Sequence, residues 1–180
     1  MTRPIDTVRP LLRVRQIRQF SDDPVDPEAI DAIADAARWS GSSKNSQPWR
    51  FIVMRQREQL QAIAEAGLPS TRSLATASAA IAIVMPAGPE RAISKAYDEA
   101  RAAERMLIAA TLLELGAGIA WIPADGRDAV GELLGLPADR SVRTVVAIGH
   151  PTAAAQKPKA ARGEARLPRE ETVFSERWPD

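Results

Sequence analysis

The run from Ala75 to Met85 constrains this chain more than any other feature. It is small and apolar almost throughout, and Pro86-Ala87-Gly88-Pro89 closes it. A segment without a polar face has no side to turn toward water, so its second half reads as a central strand covered on both sides. The flanking patterns supply the cover. Asp26-Pro27-Glu28 offers an N-cap, a first-turn proline and a carboxylate at the positive end of a helix. That helix runs to about Trp39, with Ile30, Ile33, Ala34 and Ala37 on one face. Gln56 to Ala66 reads as a short helix ending at Gly67. Glu90 to Leu115 reads as the longest helix, with Gly116 as its C-cap, and Asp128 to Leu134 as a helix closed by Gly135. Further strands are expected at Phe51–Val53, Ile119–Ile122 and Val142–Ile148. At the start, Thr7 to Arg18 reads as a short basic helix with an extended exit through Phe20. Near the end, Thr152 to Ala165 has no hydrophobic period and reads as an extended arm. The expected class is α+β, one domain over residues 1–180 with helices covering the sheet. Val173, Phe174 and Trp178 in the arm (152–180) need a surface to bury against, on a partner subunit or on their own domain.

Composition removes several kinds of chemistry. With no cysteine, disulfides, thiolate nucleophiles and Cys-ligated metals are excluded, and the single histidine, His150, removes any multi-histidine metal site. Twenty-four Lys and Arg against twenty-three Asp and Glu leave a formal charge of +1, which argues against a field tuned for nucleic acid or an anionic membrane. No apolar stretch approaches the roughly 20 residues of a membrane span. Met1–Gln19 carries arginines without an apolar centre, so no secretory leader is read there and a cytoplasmic location is expected. Redox chemistry in such a chain has to be carried by a bound organic cofactor.

Two segments concentrate the functional signal. One is Val14-Arg15-Gln16-Ile17-Arg18-Gln19-Phe20; the other is Trp39-Ser40-Gly41-Ser42-Ser43-Lys44-Asn45-Ser46-Gln47-Pro48-Trp49-Arg50-Phe51. Together they resemble the start of the FMN-dependent nitroreductase family, whose pattern is Arg-Arg-Ser-x-Arg-x-Phe, a helix, then Ser-x-Asn-x-Gln-Pro-Trp-x-Phe. Glu104–Ala110 with Leu115–Ile119 resembles the family's long core helix and its glycine-rich exit. Leu134-Gly135-Leu136-Pro137 with Val142–Pro151 resembles its last helix and strand, and Arg166-Leu167-Pro168 with Trp178 its phosphate-contacting arm. The resemblance implies a three-layer α/β/α fold with a mixed, mainly antiparallel sheet. It also implies a homodimer with bound FMN, in which Ser43, Asn45 and Gln47 reach a flavin at the subunit interface. Two departures stand out: Val14 and Gln16 occupy positions where many members have Arg and Ser. The stretch from Gln56 to Glu90 is also too short for the helical excursion that narrows the active site in larger members, so a more open pocket is expected.

The residue types suit that cofactor. A phosphate dianion calls for arginine forks, which Arg15, Arg18 and Arg166 offer. The pyrimidine edge of a flavin alternates donors and acceptors, and amide side chains carry both, which fits Gln16, Asn45 and Gln47, with Ser42 and Ser43 completing a polar shell. Plainer roles exist for each. Arg15 and Arg18 also read as solvated helix charges, and Asn45 and Gln47 as loop-stabilising side chains. Trp49 and Phe51 read as core, Glu104 and Arg105 as partners in local ion pairs, Gly116 and Gly118 as helix-capping, and His150 as structural. The expected activity is ping-pong hydride transfer from NAD(P)H, a transient co-substrate, through FMN to a small acceptor of nitroaromatic or quinone type, with no obligatory catalytic side chain. The alternatives are another flavin enzyme on the same scaffold, of dehalogenating or flavin-fragmenting type, and a flavin-binding dimer without turnover.

Overall fold

The computed structural model describes residues 3–157 and 166–179. Four strands form one sheet in the order β1 (Arg50–Met54), β2 (Ala79–Pro86), β4 (Arg140–Gly149), β3 (Gly116–Trp121), every neighbouring pair antiparallel. β2 lies second from one edge and is buried along its length, as its uniform composition demands. Its side chains alternate between two cores. Ala79, Ile81, Ile83 and Met85 join Ile30, Ile33 and Ala37 of α2 (Pro27–Arg38) and Ala102, Met106 and Ala110 of α4 (Ala92–Leu112). Ala80 and Ala82 join Leu60 and Ile63 of α3 (Arg57–Ala66) and Val130 of α5 (Arg127–Leu133). Helices therefore cover both faces, which is the expected three-layer α/β/α arrangement.

The capping chemistry behaves largely as the sequence directs. Asp26 accepts a hydrogen bond from the Glu28 amide at 2.9 Å, with Pro27 in the first turn of α2. Gly135 takes a left-handed conformation (φ 63°) just beyond α5. The end of α4 departs from expectation. The helix stops at Leu112, and the left-handed residue after it is Glu114 (φ 59°), not a glycine. Gly116 and Gly118 instead belong to β3, which starts earlier than the expected Ile119.

The reason lies in the N-terminal segment. The first helix, α1 (Pro4–Leu12), ends six residues before the expected Arg18, and the chain beyond it runs extended along the free edge of β3. Gln16 bridges Ala117 in parallel orientation, the Ile17 amide donates to the Ala117 carbonyl at 2.8 Å, and Phe20 bridges Pro151. This parallel bridge is the mixed element of an otherwise antiparallel sheet. The approach is so close that a Cβ on Gly118 would sit 2.0 Å from the Ile17 carbonyl oxygen, and one on Gly116 would sit 2.9 Å from the Ile17 side chain. Only glycine allows that contact.

At the other end, Thr152 caps a short helix, α6 (Ala153–Gln156), where an extended arm was expected. The rest of that stretch, 158–165, lies outside the described residues. Phe174 and Trp178 pack edge to face, centroids 4.9 Å apart, while Trp178 stays 78% exposed.

Gly118→Ala is expected to cost at least ~2 kcal/mol through overpacking against the Ile17 backbone, a fall of roughly 4–8 °C in Tm for a chain of this size. Gly131→Ala is the control. It lies inside α5 with open space around its Cβ, and is expected to raise stability by about 0.5–1 kcal/mol. Thermal denaturation of the two variants checks both signs.

Candidate functional site

The N-terminal segment and a neighbouring turn form one wall each of a groove of about 690 Å³. Gln16, Arg18 and Ile119 line one side; Arg72, Ser73 and Thr76, from a 3₁₀ turn at Arg72–Thr76, line the other, with Trp121 contributing aromatic surface. Gln16 is held by two bonds: its Oε1 accepts from the Arg18 guanidinium at 3.0 Å and from the Ile119 amide at 3.1 Å. Gln16 and Arg18 both line the groove. Ser73 is 3% exposed, and its hydroxyl has no hydrogen-bond partner. A buried hydroxyl left without a partner costs free energy, so an orphan beside a groove marks a place where an added polar group is stabilised. Arg72, Ser73 and Trp121 were not singled out by sequence. Arg72 lies in a stretch without periodicity, and only tertiary pairing brings it opposite Arg18.

Arg15 lies apart from this wall. Its guanidinium donates to the Lys157 carbonyl at 3.1 Å and to the Gln156 carbonyl, tying the N-terminal segment to the end of α6. Arg166 is exposed and follows the stretch that is not described.

The second group lies on the loop before β1. Lys44, Asn45 and Gln47 all take positive φ (54°, 52° and 45°), a left-handed conformation that is costly for residues with a Cβ. Such a backbone persists only where its surroundings impose it. Asp98, 2% exposed on α4, accepts the Ser43 amide at 3.0 and 3.3 Å, and Arg91 donates to the Ser43 hydroxyl at 3.0 Å. The Ser42 hydroxyl accepts the Gln47 amide at 2.9 Å, and the Gln47 side chain donates to Asn45 Oδ1 at 3.3 Å. Asn45 and Gln47 thus brace one another while remaining exposed. Downstream, Trp49 is core and stacks against Phe51, as expected. Arg105 makes no local ion pair; it donates to the Trp39 carbonyl at 2.8 Å, closing the end of α2. Trp39 itself is 72% exposed. His150 serves through its backbone, its carbonyl accepting the Ser21 amide.

One chain does not bring the two groups together. The loop leads into β1, at one edge of the sheet, and Gln16 and Arg18 lie outside β3, at the other. With strands spaced about 4.8 Å apart, the segment at Gln16 is roughly 19 Å from β1 across the sheet. The groove contains Gln16 and Arg18 but nothing from residues 42–47.

Comparison with known proteins agrees with this architecture. Residues 13–101 match the model of the Nitroreductase family, a span that includes both groups. A protein of Archaeoglobus fulgidus, provisionally named NADH dehydrogenase/NAD(P)H nitroreductase, is 39% identical over 147 residues, covering 76% of this chain and 80% of the relative. The crystal structure of a similarly named protein from Parabacteroides distasonis superposes with a TM-score of 0.81 at 26% identity, covering 96% of this chain and 99% of that one. A provisionally named nitroreductase of Desulfovibrio desulfuricans, solved in complex with FMN, superposes at 0.75 with 25% identity, covering 99% and 100% of the two chains.

The brace on the loop is testable. Asp98→Ala leaves the Ser43 amide without its buried acceptor, and is expected to lower stability by about 1–3 kcal/mol. Hydrogen exchange should show faster opening at Ser43 than in the native chain, with the amides of β2 changing only as far as global stability does.

Proposed function

Because this chain belongs to the nitroreductase family, we propose that it is a homodimeric, FMN-dependent oxidoreductase that uses NAD(P)H to reduce a small oxidised acceptor of nitroaromatic or quinone type. The observation that carries this reading is the groove bounded by Gln16, Arg18, Arg72 and the orphan hydroxyl of Ser73. Its volume of about 690 Å³ falls within the range usual for small-molecule sites. Its donor set suits a flavin mononucleotide: guanidinium groups for anionic oxygens, an amide for the pyrimidine edge, Ile119 and Trp121 for the ring. Bound flavin supplies the ability to accept a hydride from one substrate and release it to the next. Every role assigned to the protein is positional. Gln16, fixed through Ile119, presents its amide nitrogen. Arg18 and Arg72 place positive charge beside the groove, which stabilises negative charge there more than water does. Arg15 and Arg166 act in this reading at the arm's side of the site. Donor and acceptor then use one open face in turn, which is ping-pong order.

The loop residues Ser42, Ser43, Asn45 and Gln47 reach the flavin of a partner subunit in this proposal. Support comes from two surfaces. α1 buries no residue, and its Ile5, Val8, Leu11 and Leu12 are all exposed. On α4, Ile93, Tyr97 and Leu112 are exposed as well. Exposed apolar side chains grouped in this way on two helices fit a covered interface. The aromatic end of the C-terminal arm, exposed on its own chain, belongs to the same surface when the arm is exchanged. A cytoplasmic setting, where reduced pyridine nucleotide is supplied, is part of this reading; no described helix is long and apolar enough to cross a membrane.

Purified protein is expected to be yellow, to bleach with NAD(P)H in the absence of air and to regain colour with a nitroaromatic. Bleaching without reoxidation by any nitroaromatic or quinone would point to the other flavin chemistries on this scaffold. Arg18→Ala and Asn45→Ala are each expected to weaken FMN binding about 10- to 100-fold, the value of one lost charge-assisted or buried hydrogen bond. Fluorescence titration of the apoprotein measures this, and unchanged affinity in both variants would remove the site assignment. Val8→Glu with Leu12→Glu is expected to shift the particle from twice the 19.5 kDa chain mass to the chain mass itself, read by light scattering, with loss of tight flavin.

A further inference from the structure

A second pocket, of about 360 Å³, opens beside the loop at Gln47, and apart from Gln47 its lining side chains have no part in the flavin reading. Arg50 comes from β1, Arg140 from β4, and Arg91, Ser94 and Lys95 from the start of α4. Four cations face two carboxylates, Glu90 and Asp98, and both oxygens of Asp98 already accept the Ser43 amide. Neutral oxygens hold three of the cations. Arg50 donates to the carbonyls of Gln47 and Trp49, Lys95 to those of Pro86, Ala87 and Gly88, and Arg91 to the Ser43 hydroxyl. The carboxylate paired with Arg140, Asp139, stands 3.5 Å away and is largely exposed. Four cations against two lining carboxylates leave this pocket net positive, and of the four only Arg140 has a carboxylate as ion-pair partner.

The helix that opens here adds to it. α4 is 21 residues long, and its first turn carries no acidic residue and no capping side chain. Its positive end meets the pocket beside the arginines, with Glu90, just before the N-cap Arg91, as the neighbouring carboxylate. Pro86 at the end of β2, with Ala87 and Glu90 from the link to α4, lines one side of the pocket.

We propose that this pocket binds the phosphates of the pyridine dinucleotide donor. The inference rests on the flavin reading above: Gln47 belongs both to the pocket wall and to the loop assigned to the flavin, which sets Arg91 and Arg140 beside the place where that reading puts the donor. The phosphates of the donor are of two kinds, the pyrophosphate bridge common to NADH and NADPH and the 2′-phosphate of NADPH alone. Uncharged donors gain nothing from the pocket.

Arg140 gives the cleanest test, since its side chain touches neither the loop nor the groove. The measured quantity is kcat/KM for NADH and for NADPH, each divided by that for 1-benzyl-1,4-dihydronicotinamide, a hydride donor without phosphate. Arg140→Glu is expected to lower both ratios about tenfold or more, with FMN content as in the native protein. Equal losses assign the pyrophosphate bridge, and a larger loss for NADPH assigns the 2′-phosphate. Unchanged ratios, through either no loss or equal loss with the phosphate-free donor, would overturn the proposal and leave the flavin reading standing. A protein that binds no FMN would overturn the flavin reading instead. Calorimetric titration with inorganic pyrophosphate reads the pocket even then: binding is expected in the native chain and not in Arg140→Glu, and its absence from both overturns the anion site itself.

Discussion

Strand β2 is covered on both faces, and that burial dictates where every functional group can lie. Odd-numbered side chains from Ala79 to Met85 enter one core and Ala80 and Ala82 the other, so α2 and α4 occupy one layer and α3 and α5 the opposite one. Once both faces of the sheet are closed, polar chemistry is left to its edges, its strand ends and the loops and turns around them. β1 and β3 are those edges. The loop Ser42–Gln47 feeds the first, and the segment Gln16–Arg18 lies along the second. The separation of the two groups thus follows from the same apolar run that makes the fold.

Each edge is then fixed by one unusual contact. At β3, Gly118 allows the Ile17 backbone to approach where no side chain would fit, and the pairing with Ala117 holds Gln16 and Arg18 at the groove. At β1, the buried carboxylate of Asp98 holds Ser43, and three residues with left-handed backbone keep Asn45 and Gln47 turned outward. Strain of this kind costs on the order of 1–3 kcal/mol per residue. It is the sort of cost expected where a loop must present particular groups to a ligand.

Much of this was legible in the residues, where local chemistry decides. The Asp26 cap, the proline that follows it, Gly135 beyond α5 and the central position of β2 all depend on neighbours in the chain. So does the assignment of Trp49 to the core. What escaped depends on distant partners. Gly116 and Gly118 have the composition of a helix terminus, and only Ile17 lying against them shows that they are strand residues. The helical pattern of the N-terminal segment continues past Leu12, but pairing with β3 outweighs propensity from Gln16 onward. Arg72 has no local signature and becomes a site residue because the sheet sets it opposite Arg18. Asp98 and Glu99 look like ordinary helix charges until packing buries them. The family was readable from the order of the two segments, since the match to the Nitroreductase family covers both.

The central claim is that a complete site takes Gln16, Arg18 and Arg72 from one subunit and Asn45 and Gln47 from another. Mixed dimers test it directly. Subunits carrying Arg18→Ala and Arg72→Ala are combined with subunits carrying Asn45→Ala and Gln47→Ala, and tight FMN is counted per purified heterodimer. Each homodimer of variants has both sites damaged and should hold little flavin. In the heterodimer all four substitutions fall in one site and none in the other, so the account predicts one tightly bound FMN per dimer. A heterodimer that binds no more flavin than its parents would show that each site lies within a single chain, and would contradict it.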